Sequence, residues 1–323
     1  MKKGFIDLQV NGYMGVDFSA PGLTLDEVRL VVTELRERKT LAFCPTVITS
    51  SWEVYESNLP VLAEAMWEPD LRPHLLGIHL EGPFISPKDG ARGAHPLDCT
   101  APPSIESYER LRELADDSVS LLTLAPELEG AAELIRHVSH SGVRVSLGHH
   151  LADADRIRRA CREGATASTH LGNGIPNLIP RHPNPIWDQL DCEQLKIMMI
   201  TDGHHLPDCF IRVVTRLTSP DRRIVVSDSA PIGGYPPGKY ETLGQEVVLE
   251  TSGKLWNPVG DHLVGSSACM AECMNYLASL GLLNEDELWA VGYSNPLDYL
   301  GLRLDEHVYA SLPDLKYDGI RFQ

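Results

Sequence analysis

The chain has 323 residues and a net charge of −17, with 43% hydrophobic and 23% charged residues. This is the make-up of a globular chain with enough apolar material for one large domain or two ordinary ones. The acidity argues against nucleic acid or an anionic membrane as partner, and no apolar run approaches the roughly 20 residues that span a bilayer. Lys2 and Lys3 lead into Asp7 and Asn11 rather than an apolar core, so no secretory signal is expected. Seven dispersed cysteines without a C-x-x-C pair read as reduced thiols, hence a cytoplasmic protein. Cys269 and Cys273, one helical turn apart, read as a buried apolar pair.

Strand-like and helical runs then alternate along the chain. The stretch GFIDLQVNG opens it, a short strand at 4–10 whose polar residues run out to a glycine. Further strands are expected at 40–48, 74–81, 119–125, 143–149, 165–170, 196–202 and 223–228. They are short and nearly all apolar, as parallel strands covered on both faces are. Amphipathic segments such as 24–38 and 152–163 lie between them. Thr24 is a plausible N-cap, with Asp26 and Glu27 suiting a helix N-terminus. Eight such repeats predict a single (β/α)₈ TIM-like barrel over residues 1–302. A hairpin insertion is expected near 238–256, two helices around 266–280 and 285–301, and an irregular tail at 303–323 with one or two strands.

In such a barrel the chemistry belongs at the C-terminal ends of the strands. There the chain places Glu81 in HLEGPF, His149 in LGHH, His170 in STHLGNG, Asp202 in TDGHH and Asp228 in VSDSAP. One Glu and two His converging on a barrel axis suit Zn²⁺ with a fourth position open to water. Asp228 is placed to take a proton from that water and return it to a leaving amine. Each residue alone has a structural reading, as a hydrogen-bonded strand-end histidine, a cap or a turn; the joint placement points to a metal. His95, in the loop DGARGAHP, could orient a carbonyl or simply face solvent. Arg181, in the proline-stiffened loop GNGIPNLIPRHPNP, and His205 would supply local positive charge, Arg181 being otherwise a surface arginine. His74, His79, His137 and His140 read as structural or exposed.

Seven motifs occur in one order: HLEGPF, GAHP, LGHH, STHLGNG, TDGHH, SDSAP and LVGSSACM. The chain resembles the N-acetylglucosamine-6-phosphate deacetylases of the amidohydrolase superfamily over about residues 4 to 302. Members of that family often carry Gln-x-Asn where other amidohydrolases have His-x-His, as Gln9-Val10-Asn11 does here, and bind one metal ion rather than two. The resemblance implies one divalent ion per subunit, Zn²⁺, held by Glu81, His149 and His170, with Asp228 as catalytic acid/base. It implies that His95 polarises the acetamide beside Ala94. Asn173 and Gly174 would contact the sugar phosphate, and Leu263, Val264 and Gly265 would line the sugar. His205 would hold the phosphate together with an Arg181 reaching across a homodimer interface. The implied reaction releases acetate from an amino-sugar 6-phosphate. Three departures from the family are noted: the chain starts at the barrel, its tail is short, so the family's small β-sandwich is expected to be reduced or absent, and Asn173-Gly174-Ile175 replaces the usual Asn-Ala-Met. The alternatives are a related amidohydrolase acting on another N-acyl amine or a cyclic amide, and a catalytically silent sugar-phosphate-binding protein.

Overall fold

A computed structural model of the chain describes residues 2–242 and 245–323. Eight parallel strands form one sheet in sequential order, here numbered β1 (Phe5–Val10), β2 (Thr40–Ile48), β3 (Ile78–Glu81), β4 (Val119–Leu124), β5 (Arg144–Leu147), β6 (Ala165–Ser168), β7 (Lys196–Ile200) and β8 (Arg223–Val226). Every residue of β1 and β2 is buried, as expected of strands covered on both faces. β1 and β8 meet through the bridge Val10–Ser229 and the bond from Asn11 N–H to Ser229 O at 2.8 Å. Asp7 reinforces that seam by accepting the Ser227 hydroxyl at 2.5 Å and the Ser227 N–H at 3.1 Å. The predicted barrel is therefore present. Its third strand is shorter than expected, because residues 72–74 form a 3₁₀ turn before it.

The helices are packed outside the strands. α1 (Leu25–Glu37) starts at Thr24, which forms a capping box with Glu27, and buries Val28, Val31, Val32 and Leu35. α2 is Trp52–Ala65, α3 Ile105–Leu114 and α4 Ala131–His140. α5 (Ala154–Glu163) is capped by Asp153, whose carboxylate accepts the Arg156 N–H. α6 is Pro185–Asp191 and α7 Asp208–Leu217. α8 (Met270–Ser279) buries Cys273, with Cys269 buried at its cap, as the one-turn spacing predicts. The last expected helix is broken into Glu285–Trp289, a π-helical turn at Ala290–Ser294, and Asn295–Leu300. No helix among the described residues is long and apolar enough to cross a membrane.

The expected hairpin is larger than predicted. Gly238–Thr242, Gln245–Leu249, Leu255–Asn257 and His262–Leu263 form a four-stranded antiparallel sheet, β9 to β12; residues 243–244 lie outside the described residues. Ala230, Ile232, Val247, Leu249, Leu255 and Val264 form a small apolar cluster that fastens the sheet to the chain leaving β8. The tail contributes a short 3₁₀ turn and the single bridge Tyr317–Phe322 instead of strands.

Candidate active site

The ends of β3, β5, β6 and β8 bring Glu81, His149, His170 and Asp228 to one cavity of about 440 Å³. The backbones of His149, His170 and Asp228 have φ of +53°, +28° and +52°. Non-glycine residues rarely take this left-handed conformation, and where they do it is concentrated at functional sites. Glu81 Oε1 lies 3.2 Å from His149 Nε2 and 3.0 Å from His170 Nε2, and the two imidazole nitrogens are 3.1 Å apart.

The hydrogen bonds around the rings decide what each nitrogen can do. His149 Nδ1 donates to Ala91 O at 2.9 Å, since a carbonyl can only accept. In the neutral ring Nε2 is then an acceptor facing another acceptor, Glu81 Oε1, a contact that a shared cation makes favourable. Ligands at 2.0–2.1 Å from a tetrahedral Zn²⁺ stand about 3.3 Å apart, close to the three distances above. The donor set therefore fits a divalent metal. Gly174 has φ +60°, and a Cβ there would come within 2.9 Å of His149 Nδ1. A glycine lets this loop pack against the ring.

His95 is a second arrangement to weigh, because Glu81, His95 and His149 also offer ligand atoms within 4.8 Å of one another. Its Nδ1 accepts the Thr49 backbone N–H at 3.3 Å. Nδ1 is thus occupied, and the proton of the neutral ring must sit on Nε2. Burial, helped by the nearby His149, holds His95 well below the ordinary histidine value and keeps it neutral. In this tautomer His95 is suited to donate a hydrogen bond through Nε2, while the Glu81–His95–His149 grouping also offers a set of metal-ligating atoms.

Gln9 in β1 and Asn11 just after it reach the two carboxylates at the cavity floor. One Gln9 amide nitrogen donates to Glu81 Oε1 and to Asp228 Oδ1, each at 2.9 Å, and Asn11 Nδ2 donates to the same Asp228 oxygen at 2.8 Å. Neutral N–H groups thus separate the buried Glu81 carboxylate from the half-buried one of Asp228. Burial opposes ionisation of Glu81, but the two imidazoles of His149 and His170 beside it hold its carboxyl well below the usual range. Asp228 is pushed up, first by burial and then by the charge of Glu81.

The remaining predicted residues divide. Ala94, Asn173, Gly174, His205, Leu263 and Gly265 line the cavity. His205 Nδ1 lies 2.8 Å from Asp202 Oδ2, which also accepts the Ser266 hydroxyl at 2.8 Å. Asp202, a strand-end residue without an assigned role in the sequence, therefore orients His205. Val264 is buried in the small cluster beneath the β9–β12 sheet. Arg181 is exposed on its loop and does not line its own chain's cavity. Sequence reasoning missed Lys254, Trp256, Asp261 and His262, which line the cavity from the four-stranded sheet. None stands at a barrel strand end, so no positional signal marked them. His74 and His79 are structural as expected, bonded to Leu41 O and to Thr123.

No family model matches the chain. The N-acetylglucosamine-6-phosphate deacetylase of Mus musculus is 37% identical over 319 residues, covering 93% of this chain and 74% of that protein. The Homo sapiens protein of the same name is 35% identical, with coverages of 93% and 74%. The N-acetylgalactosamine-6-phosphate deacetylase of Shewanella sp. (strain ANA-3) is 34% identical, with coverages of 87% and 70%. Among solved structures, an N-acetyl-D-glucosamine-6-phosphate deacetylase mutant from Mycobacterium smegmatis, in complex with N-acetyl-D-glucosamine-6-phosphate, superposes with a TM-score of 0.84 at 26% identity, covering 93% of this chain and 78% of that one. The Thermotoga maritima enzyme gives 0.80 at 26% identity, with coverages of 93% and 78%. With that fold, that cavity and relatives of that name over nearly its whole length, the chain belongs to the N-acetylglucosamine-6-phosphate deacetylase family.

Proposed function

We propose that the protein hydrolyses the N-acetyl amide of N-acetylglucosamine 6-phosphate, giving glucosamine 6-phosphate and acetate. The observation that carries this reading is the acceptor-to-acceptor contact of Glu81 with His149, closed by His170, beside a half-buried Asp228. Glu81, His149 and His170 would hold one divalent ion, with Zn²⁺ the expected metal, and such an ion supplies Lewis acidity and lowers the pKa of bound water. Asp228 accepts a proton from the attacking water and returns it to the departing nitrogen, so one carboxyl serves as base and then acid. The Nε2–H of His95 donates to the acetamide oxygen as negative charge develops there. Gln9 and Asn11 hold Asp228 in place through its Oδ1. The phosphate is read by His205, fixed by Asp202, and by Arg181 of a second subunit in a homodimer. The exposed position of Arg181 outside its own cavity supports that placement. The free cysteines fit the expected residence in the cytoplasm.

The test is acetate release from N-acetylglucosamine 6-phosphate and from the unphosphorylated sugar with zinc-loaded protein. A preference for the ester of about 100-fold in kcat/KM corresponds to about 2.7 kcal/mol and supports the reading; equal rates defeat the phosphate assignment. The Shewanella relative favours a second reading, the galactosamine epimer as substrate. The same assay with N-acetylgalactosamine 6-phosphate decides between the two.

A further inference from the structure

Cys161 and Cys192 are far apart in sequence, yet their sulfurs lie 3.0 Å from one another. Cys161 is in α5 and Cys192 caps the end of α6, and both are buried. Neither belongs to the active site. The segment between them carries β6, His170 and the whole 171–184 loop with Asn173, Gly174 and Arg181.

The surroundings of Cys192 favour a thiolate. Arg222 is buried, and its guanidinium wraps this turn: Nη2 donates to Cys192 O at 2.9 Å and Nε to Leu195 O at 3.0 Å. Among the described residues no carboxylate pairs with it. The nearest acidic neighbour in sequence, Asp191, is taken by Arg158 at 2.9 Å. A buried cation bonded only to carbonyls leaves positive charge beside the sulfur, which is how proteins select a reactive cysteine. The contact with the Cys161 sulfur acts first, the Gln194 backbone N–H and then Arg222 add to it, and against burial they lower the Cys192 thiol below its ordinary value. One thiol donating to a neighbouring thiolate is the resting arrangement of a redox-active dithiol.

We propose that Cys161 and Cys192 form a redox-active dithiol that closes to an intramolecular disulfide on reaction with a low-molecular-weight disulfide. The Cys192 thiolate attacks one sulfur of that compound, breaking its S–S bond and releasing one thiolate. The released thiolate takes the Cys161 proton. Cys161 then attacks Sγ of Cys192, forming the protein disulfide and expelling the second small thiolate, which takes up a proton from solvent. The thiolate–thiol pair loses two electrons and one proton, and with the proton from solvent the small disulfide leaves as two thiols. From 3.0 Å the sulfurs need about 1 Å of movement to reach bonding distance. The bond would tie the far end of the substrate-loop segment, at α6, to α5.

The experiment exposes the folded chain to glutathione disulfide, blocks the remaining thiols and maps the digest by mass. Cys209 is exposed and reports that the oxidant has reached the protein. The expected product is a Cys161–Cys192 cross-linked peptide two hydrogens lighter than the separate thiols, formed while Cys44 and Cys273 stay blocked by alkylation alone. In Cys161→Ser a glutathione adduct should persist on Cys192, where the unaltered chain resolves it. If Cys209 is modified while Cys161 and Cys192 both remain alkylatable, the proposal is overturned. A glutathione adduct on Cys192 that never resolves in the unaltered chain overturns it equally. Should the serine variant not fold, the cross-link in the unaltered chain decides alone.

Discussion

Gln9 places one amide nitrogen 2.9 Å from Asp228 Oδ1, and the same nitrogen lies 2.9 Å from Glu81 Oε1. A neutral donor therefore stands between two carboxylates, one buried and one half-buried, and keeps them apart. Gln9→Leu should leave the barrel folded, because β1 is already apolar around it, but it removes the donor shared by the two carboxylates and leaves Asp228 Oδ1 to Asn11. The expected result is a fall in kcat of roughly 10- to 100-fold, on the order of 1.4 to 2.7 kcal/mol, with KM little changed. Steady-state kinetics with metal content measured in parallel would check this; unchanged kcat would mean that Asn11 alone holds Asp228.

Asp228 and the Glu81–His149–His170 group should separate experimentally. Asp228→Asn keeps the shape and the Gln9 contact while removing the proton acceptor, and should cost about 10² to 10⁴ in kcat with metal retained. His149→Ala should instead lose the metal itself, and chelation of the unaltered protein should reproduce its loss of activity. Metal analysis beside the kinetics separates the two classes. A metal-free Asp228→Asn protein would move Asp228 into the ligand set.

The tautomer of His95 yields a third expectation. With Nδ1 accepting from Thr49 and Nε2–H facing the cavity, His95→Gln should keep a donor and retain partial activity, whereas His95→Ala should lose about 10²- to 10³-fold in kcat. Metal content should be unchanged in both. Loss of metal in His95→Ala would instead identify the Glu81–His95–His149 group as the ligand set.

Phosphate recognition is testable at Lys254 and Arg181. Lys254 lies 4.3 Å from the ring centroid of Trp256 at the cavity wall, and its turn is fastened by Ser267 Oγ to Gly253 O at 2.6 Å. Lys254→Met and Arg181→Ala should each raise KM for the phosphorylated sugar about tenfold, about 1.4 kcal/mol, and leave an unphosphorylated sugar unaffected. Mixing Arg181→Ala with an Asp228→Asn protein should restore some active sites if Arg181 acts between subunits. No recovery would place Arg181 on its own chain's substrate.

Asp7 predicts a stability effect of defined sign. Burial pushes its carboxyl up to about 7, against the hydrogen bonds from Ser227 and Gln9. The unfolded carboxyl titrates near 3.8, so between these values the folded state holds a proton that the unfolded state has released. That contribution to stability is complete below about 3.8, declines as pH rises, and is gone above about 7, with a slope of at most about 1.4 kcal/mol per pH unit. Denaturant titrations across this range should show the slope in the unaltered protein and a shallower one in Asp7→Asn. Parallel slopes would mean that Asp7 is already ionised at acid pH.

Much of this molecule is local information. Short apolar runs separated by amphipathic segments specify buried parallel strands and covering helices, and a barrel of such units places whatever follows each strand at its mouth. Glu81, His149, His170, Asp202 and Asp228 were legible for that reason, and so was the cap at Thr24. The roles that depend on long-range approach were not legible. Nothing in GFIDLQVNG says that the Gln9 amide will sit between two carboxylates, and nothing in GAHP says that Thr49 will occupy one nitrogen of His95. Lys254 enters the cavity because a sheet inserted after β8 folds over the mouth, whereas Arg181, from a motif that promised a contact, is carried by its loop to the outside. Cys161 and Cys192 meet only because α5 and α6 are neighbours on the barrel's outer ring. The periodicity of the chain determined the barrel and the membership of its rim, while hydrogen-bond partners, tautomers and sulfur contacts were decided by packing between segments distant in sequence, where direction and distance rather than residue type set the chemistry.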